Sequence, residues 1–211
     1  MTGAGLAAVA AAVLLAGCAS LPPPATIDPV AAAAAQQARA TALGLAESDC
    51  AAPDWALSGR VALANGREGG SGRLEWAQAA GHLRLLLTAP VTRQGWQLDV
   101  DAAGATLSGL EGGPRSGTDA ARLLRDATGW DIPLAALGCW LRAVAAPASV
   151  GPAVLAYGPH QLPVRLEQGG WVVEYDGWAV DAASGQSLPT RVEARRGDDR
   201  VRLVVDRWGR E

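Results

Sequence analysis

From Trp55 onward, apolar and polar residues alternate in short segments, which is the pattern of half-buried β-strands. The stretch 55–63 shows this alternation first, and the glycine-rich stretch 66–72 predicts a turn after it. Further strands are predicted at 73–76, 82–87, 96–101, 105–108, 164–168, 171–175, 190–195 and 201–206. Because the turns between them are short and carry Gly or Asp, the pattern favours an antiparallel sheet that curls towards a barrel.

The alternation is interrupted in the middle of the chain by two segments with helical features. The apolar residues of the first recur at helical spacing, at Ala120, Leu123, Leu124 and Ala127. Ser116 or Thr118 is predicted to cap the start of this helix, and Gly129 its end.

A second short helix is predicted to open at Pro133, with Trp140 near its end. Leu134, Leu137 and Leu141 would share one face of it. Helices inserted between strands are well placed to cover the concave apolar face of a curled sheet, because each must bury its own apolar stripe.

The N-terminus has a different pattern. Residues 1–17 carry no charged side chain, residues 6–15 are only Leu, Ala and Val, and Leu15-Ala16-Gly17-Cys18 follows as a lipobox. An apolar stretch this short suits a secretory signal, whereas a spanning helix needs roughly 20 residues. We therefore expect cleavage before Cys18 and acylation of that cysteine; the alternative is an ordinary cleaved signal with an incidental cysteine.

This cleavage divides the chain into a signal peptide at 1–17, a lipidated cysteine with a flexible tether at 18–29, and one domain at 30–211. Prolines 22–24 favour an extended tether, and the Ala-rich stretch 30–47 is predicted to be helical. The 194 residues that remain are enough for one core. A net charge of −3 without a run of Lys or Arg argues against nucleic acid as a partner.

Candidate chemistry is sparse. Cys50 and Cys139 would meet an oxidising compartment, so a disulfide between them is possible, but the sequence leaves it open. His82 and His160 are isolated, and no Cys/His spacing typical of a metal site or cofactor motif occurs. Asp99 shares a strand face with the aspartate at 101, which permits acid/base chemistry but is more typical of a solvated strand. The eight tryptophans suggest wide apolar surfaces, so the residues favour binding over catalysis.

Several motifs resemble the LolB family of outer-membrane lipoprotein receptors. They are Trp55-x-Leu57-x-Gly59-Arg60, Leu74-x-Trp76-x-Gln78, Leu85-Leu86-Leu87-Thr88-x-Pro90, Ile132-Pro133-Leu134-x-x-Leu137-x-x-Trp140-Leu141 and Gln168-x-Gly170-Trp171-x-Val173-x-Tyr175. Together with Leu188-Pro189 and the closing stretch 201–208, they cover nearly all of the mature domain.

This resemblance implies an incomplete antiparallel β-barrel with helices covering an apolar cavity. It implies a non-enzymatic, monomeric protein without cofactors, anchored by lipid on the periplasmic face of the outer membrane. Such a protein receives acylated lipoproteins from the periplasmic carrier LolA and inserts them into the inner leaflet. Ala19 agrees with this location, since Asp at that position favours retention in the inner membrane in similar lipoproteins.

The resemblance also implies a membrane-insertion loop. In the family, an apolar residue projects from the loop that follows the Leu-Leu-Leu-Thr-x-Pro strand, which here makes Pro90 and Val91 the candidates. The family prefers Leu followed by Gly, whereas this chain has Val91 and Thr92. Val buries less apolar area than Leu, so weaker insertion is expected.

Eight residues are predicted to line the acyl-binding cavity: Trp76, Leu85, Leu87, Leu123, Trp130, Trp140, Trp171 and Tyr175. Each could equally be plain core, because a shift of one residue in strand register exchanges the two faces. Ala143 stands where the family often has Gly, so the second helix could end differently here.

Two other functions stay open from the sequence. The chain could be a different lipid-binding or scaffolding lipoprotein of the envelope with the same architecture. It could also be a lipid-anchored hydrolase, which would require His82 or His160 to lie within hydrogen-bond reach of a serine and a carboxylate.

Overall fold

The computed structural model describes residues 28–45, 50–51, 54–66, 68–90, 94–182 and 184–209. Eleven strands are found in this part of the chain: β1 Trp55–Asn65, β2 Gly69–Ala79, β3 His82–Thr88, β4 Gly95–Asp101, β5 Gly104–Ser108, β6 Arg115–Gly117, β7 Val154–Tyr157, β8 Pro163–Gln168, β9 Trp171–Val180, β10 Ser187–Arg196 and β11 Asp199–Gly209. The helices are α1 Pro29–Ala42, α2 Ala120–Thr128 and α3 Leu134–Trp140, with single 3-10 turns at Ala148–Val150 and Pro159–Gln161.

The strands form one antiparallel sheet in the order β6-β5-β4-β3-β2-β1-β11-β10-β9-β8-β7. The first and second halves of the chain each form a meander, and the pairing of β1 with β11 joins them. The order is linear, with β6 and β7 at its two ends, so the sheet is open. The predicted mainly β fold, an antiparallel barrel that does not close, is confirmed.

Strand register builds the apolar inner face. Leu57 pairs with Trp76, Trp76 with Leu85, Leu85 with Leu98, and Leu98 with Leu107, so a single apolar row crosses five strands. All five side chains are buried. Fully burying one such side chain contributes about 1.5–3 kcal/mol. A register shift of one residue would expose a strand's whole contribution to this row, which is why the register is well determined.

The opposite, outer face of the sheet carries charges that pair across strands. Arg84 of β3 contacts Asp99 of β4 at 3.0 Å, and Arg165 of β8 contacts Glu174 of β9 at 2.9 Å. Partial burial favours the neutral form of Asp99, but hydrogen bonds from Gln97 and Arg84 outweigh it and hold the pKa of Asp99 below its usual value. Asp99 is therefore a charged member of a surface network rather than a candidate base.

Helix α2 packs one stripe on the inner face near β4, β5 and β6, with Leu124 fully buried. Its N-cap is Asp119, whose carboxylate accepts a hydrogen bond from the Arg122 amide at 3.0 Å. The predicted caps Ser116 and Thr118 are therefore wrong. Ser116 lies in β6 instead, where it pairs with Thr106 of β5. Gly129 ends the helix with φ of 76°, as predicted.

Helix α3 begins after Pro133 and ends at Trp140, close to the predicted bounds. Ala143, just beyond, is fully buried and has φ of 56°. Gly adopts this left-handed conformation without strain, whereas the side chain of Ala143 is strained there.

Helix α1 lies where β9 ends and β10 begins. The Arg39 guanidinium donates hydrogen bonds to the carbonyl oxygens of Arg142 and Ser187 and lies 5.0 Å from the centre of the Trp178 ring. Burial lowers the pKa of Arg39 to about 10. Tyr157 adds a hydrogen bond from its hydroxyl to the Ala32 carbonyl. The helix ends at residue 42, earlier than the predicted 47.

Two further predictions are corrected. Residues 69–72 are not part of the turn, because β2 already begins at Gly69 and pairs with β1 there. The short strands β6 and β7 were not predicted. No helix in the described ranges is long and apolar enough to cross a membrane.

Candidate functional site

The eight predicted cavity residues all belong to one apolar cluster on the inner face. Trp76, Leu85, Trp140, Trp171 and Tyr175 are buried, and Leu87, Leu123 and Trp130 are partly buried against them. These residues therefore lie together in the structure, and their role in lining an acyl-binding cavity stays a prediction. Most of them fill the interior rather than border an empty space.

A pocket of about 260 Å³ lies between the helices and the strands β2, β3 and β4. Its lining residues are Cys50, Ala51, Trp76, Gln78, Gly81, Leu83, Val100, Ala120, Leu134, Ala135 and Gly138. Of the eight predicted residues, Trp76 is the one that lines it. Leu83 and Val100 pair across β3 and β4 on the same face as Leu85, so strand alternation could have indicated them once the face was known.

Three buried tryptophans, Trp55, Trp76 and Trp171, have indole N–H groups without a hydrogen-bond partner among the described residues. A buried donor without an acceptor typically costs about 1–3 kcal/mol. Trp76 stacks on Trp55 with ring centres 5.5 Å apart, and it is one of the residues that line the pocket. A residue that lines the pocket, Trp76, therefore carries an N–H group without an acceptor among the described residues.

A disulfide holds α3 over this pocket. Cys50 and Cys139 are bonded, which answers the question that the sequence left open. The Arg142 guanidinium donates to the Cys50 and Gly138 carbonyl oxygens, each at 2.8 Å, and lies 5.0 Å from the Trp55 ring centre. A side chain at Gly138 would collide with the Cys50 carbonyl oxygen, so this close contact requires glycine.

Gln168, at the end of β8, holds the other side of α3 and is buried. Its Oε1 accepts hydrogen bonds from Trp140 Nε1 at 3.0 Å and from the Ala146 amide at 2.8 Å. Its Nε2 donates to the Ala146 and Gly151 carbonyl oxygens, both at 2.9 Å. The Tyr175 hydroxyl donates to the Trp140 carbonyl at 2.8 Å, and burial raises the pKa of Tyr175 above its usual value. Sequence reasoning named Gln168 as a motif residue but gave it no structural role.

The candidate insertion loop connects β3 to β4. The Ala89 amide donates to the Gln94 carbonyl at 2.8 Å, which brings the two ends of the loop together, and Pro90 is exposed. Val91 and Thr92 lie outside the described residues, as does the predicted lipidation site Cys18.

Neither histidine is among the residues that line the pocket. His82 Nε2 is 3.6 Å from Asp99, on the outer face, and His160 is exposed in the 3-10 turn before β8. Among the described residues, neither histidine hydrogen-bonds to a serine, and no three His, Cys, Asp or Glu side chains cluster as metal ligands would. The residues that line the pocket are mostly apolar.

Comparisons with known proteins agree with this geometry. A family model described as "Outer membrane lipoprotein LolB" matches residues 53–208. The outer-membrane lipoprotein LolB of Xanthomonas campestris pv. campestris is 41% identical over 202 residues, which cover 92% of this chain and 90% of that protein. LolB of Xylella fastidiosa is 36% identical over 98% of this chain and 93% of its own length.

The fold has a solved counterpart as well. A LolA superfamily protein from Nitrosomonas europaea superposes with a TM-score of 0.50 at 12% identity, covering 81% of this chain and 92% of that one. This likeness concerns the fold alone. The family model and the identities reach further, and with them the resemblance in the sequence motifs is confirmed: the chain belongs to the LolB family of outer-membrane lipoproteins.

Proposed function

We propose that this chain receives acylated lipoproteins from the periplasmic carrier LolA and inserts them into the inner leaflet of the outer membrane. The observation that carries the proposal is the apolar pocket between the helices and the inner face of an open sheet. Acyl chains leave water at a gain of about 0.8 kcal/mol per buried CH₂, so apolar surface is what a receptor must offer. No covalent step is needed, and the protein acts without catalysis or a cofactor.

The pocket of about 260 Å³ is the starting point of the binding site rather than its full extent. Helix α2 is attached by a single apolar stripe, in which Leu124 is the fully buried member. Movement of α2 away from the sheet would enlarge the pocket along the apolar row of β2 to β5. The partnerless Trp76 N–H would then meet an acceptor in an acyl ester carbonyl of the cargo.

The anchor completes the proposal. The chain is cut before Cys18, acylated there and held as a monomer on the periplasmic face by the tether 18–29, while the domain 30–211 handles cargo. The Pro90–Val91 loop delivers that cargo to the leaflet. The support for this arrangement is the lipobox, the exposure of Pro90 and membership of the family.

Replacing Ala120 with Trp tests the pocket. Ala120 lines it from the first turn of α2, so an indole there fills the space that an acyl chain would enter. We expect transfer of a labelled lipoprotein from LolA to fall at least about tenfold, since about 1.4 kcal/mol of lost binding gives that factor. The control is Arg122→Trp, which places the same indole on α2 at a position whose side chain is 72% exposed. Equal transfer by the two variants would contradict a cargo site in this pocket.

Replacing Val91 with Glu tests the loop. A carboxylate resists entry into the bilayer, so release of bound lipoprotein into liposomes should slow severely while acceptance from LolA and the unfolding midpoint stay unchanged. The isosteric control Val91→Thr keeps the shape without the charge and should have a much smaller effect. Normal release by Val91→Glu would show that the loop has no role in insertion.

A further inference from the structure

The outer face of the sheet, on the side away from the helices, carries a groove of about 880 Å³ beside the Pro90 loop. Its floor contains the small residues Ala62 and Ser71, which are direct partners on β1 and β2. Its sides carry Arg60, Arg73 and Arg202, and Pro90 lies at its rim. The groove therefore combines a floor of small residues with three guanidinium groups and one carboxylate, that of Glu75.

Arg60 and Arg73 are direct cross-strand partners on β1 and β2. Like charges at such positions repel and destabilise the pair unless an anion compensates them. Asp206 serves both, at 3.3 Å from Arg60 and 3.7 Å from Arg73. The other carboxylate near Arg73, that of Glu75, lies 4.0 Å away.

These contacts are looser than others on the same face. Arg84 meets Asp99 at 3.0 Å and Arg202 meets Glu193 at 2.8 Å, whereas both carboxylates near Arg73 lie beyond hydrogen-bond distance. The side chains of Arg60 and Arg73 are 69% and 55% exposed. Two neighbouring guanidinium groups thus have donors available for an additional anion with several oxygens.

We propose that this arginine groove binds the phosphate headgroups of anionic phospholipids at the membrane that receives the cargo. A guanidinium pairs with phosphate through two parallel hydrogen bonds, and cross-strand neighbours are close enough to share one phosphate. Among the described residues, no aromatic side chain lines the groove, unlike the centre of a typical protein interface. Its rim is the loop proposed to enter the bilayer, so headgroups would lie beside it. The inference rests on the proposed function for this placement of the membrane.

Vesicle binding without cargo or carrier tests the groove. The mature chain with Cys18→Ala, which has no acyl chains, is mixed with vesicles of phosphatidylcholine or vesicles containing about 30% phosphatidylglycerol, and bound protein is measured by flotation. We expect tighter binding to the anionic vesicles, weakened by salt. Arg60→Gln with Arg73→Gln should reduce it at least about tenfold, since each arginine near an anionic surface contributes about fivefold.

The matched control is Arg191→Gln on the same outer face. Its side chain is 63% exposed and lies 3.4 Å from Asp176, much like Arg60 and Asp206, but it does not line the groove. We expect less than about a twofold change from it. Thermal unfolding confirms that the variants fold, and the single Arg73→Gln, which removes no hydrogen bond, serves if the double variant does not.

Either of two results with vesicles would overturn the proposal: equal binding to both kinds of vesicle, or equal loss in the groove and control variants. A defect of the groove variant in binding LolA but not vesicles would also overturn it and assign the groove to a protein partner. The flotation assay contains no lipoprotein. If the chain transfers cargo but does not bind the anionic vesicles, only the proposal for the groove is refuted. A chain that binds vesicles but transfers no cargo refutes the proposed function instead.

Discussion

Replacing both Cys50 and Cys139 with Ala is expected to lower the free energy of unfolding by about 4.5 kcal/mol. The disulfide joins residues separated by 89 positions. Closing a loop of that length lowers the entropy of the unfolded chain, which corresponds to about 4.5 kcal/mol of free energy. Domains are commonly stable by only about 5–15 kcal/mol, so the loss is a large share of the total. Urea denaturation followed by tryptophan fluorescence measures it.

The reduced wild-type protein is the internal control. A reductant should bring the unfolding midpoint of the wild type down to that of the double variant and leave the double variant unchanged. A difference below about 1 kcal/mol would show that the contacts of Arg142 with Cys50 and Gly138 hold α3 without the covalent bond. The disulfide holds α3 over the pocket, which Cys50 and Gly138 both line. Without the bond the apolar lining should be more accessible, so the double variant should also bind an apolar dye more strongly.

Replacing Gln168 with Leu is expected to cost about 3–5 kcal/mol of folding stability, although the two side chains have similar size. Leu leaves the Trp140 indole N–H, the Ala146 amide and the Gly151 carbonyl in the interior without their present partners. Each orphaned group typically costs about 1–3 kcal/mol. The effect is read from the denaturation midpoint and from the environment of Trp140 in near-ultraviolet circular dichroism.

Gln97→Leu is the matched control for this substitution. Gln97 lies on the outer face of β4, where its Nε2 donates to Asp99 at 2.6 Å and water can replace the contact. A cost below about 1 kcal/mol is expected there. If the two substitutions cost the same, Gln168 does not hold α3, and the stability of that helix comes from the apolar contacts of Trp140 alone.

The strands were predictable because each has one buried face, and their alternation is visible without knowledge of the partner. The ends were not: β9 continues to Val180 and β10 already begins at Ser187, beyond the segments with clear alternation. The short β6 has no buried residue, and β7, Val154–Tyr157, is a continuous apolar run, so neither shows a period of two. Where apolar burial does not set the pattern, the sequence carries no periodic signal.

The candidate site was predictable only as a face. Membership of the apolar cluster follows from residue type, and all eight residues meet there. The pocket, however, is formed by the β2–β3 end of the sheet, the first turn of α2, helix α3 and the segment at Cys50, which are distant in sequence. Ala120 and Gly138 line the pocket as small residues, because a larger side chain would fill it at Ala120 or collide with Cys50 at Gly138. This requirement for small residues is visible only when the facing element of the fold is known.

The pairing of β1 with β11 has a consequence for how the protein folds after export. Arg60 of β1 pairs with Val204 of β11. The strand β1 leaves the translocation channel first, so it cannot complete its pairing until β11 has also emerged. Contacts this distant in sequence form slowly, and until then an edge of β1 remains open to pairing with other chains. The tryptophans that are buried in the folded domain are exposed during the same interval. Apolar surface and an open strand edge together favour aggregation, so the newly exported chain is most vulnerable until β11 pairs with β1.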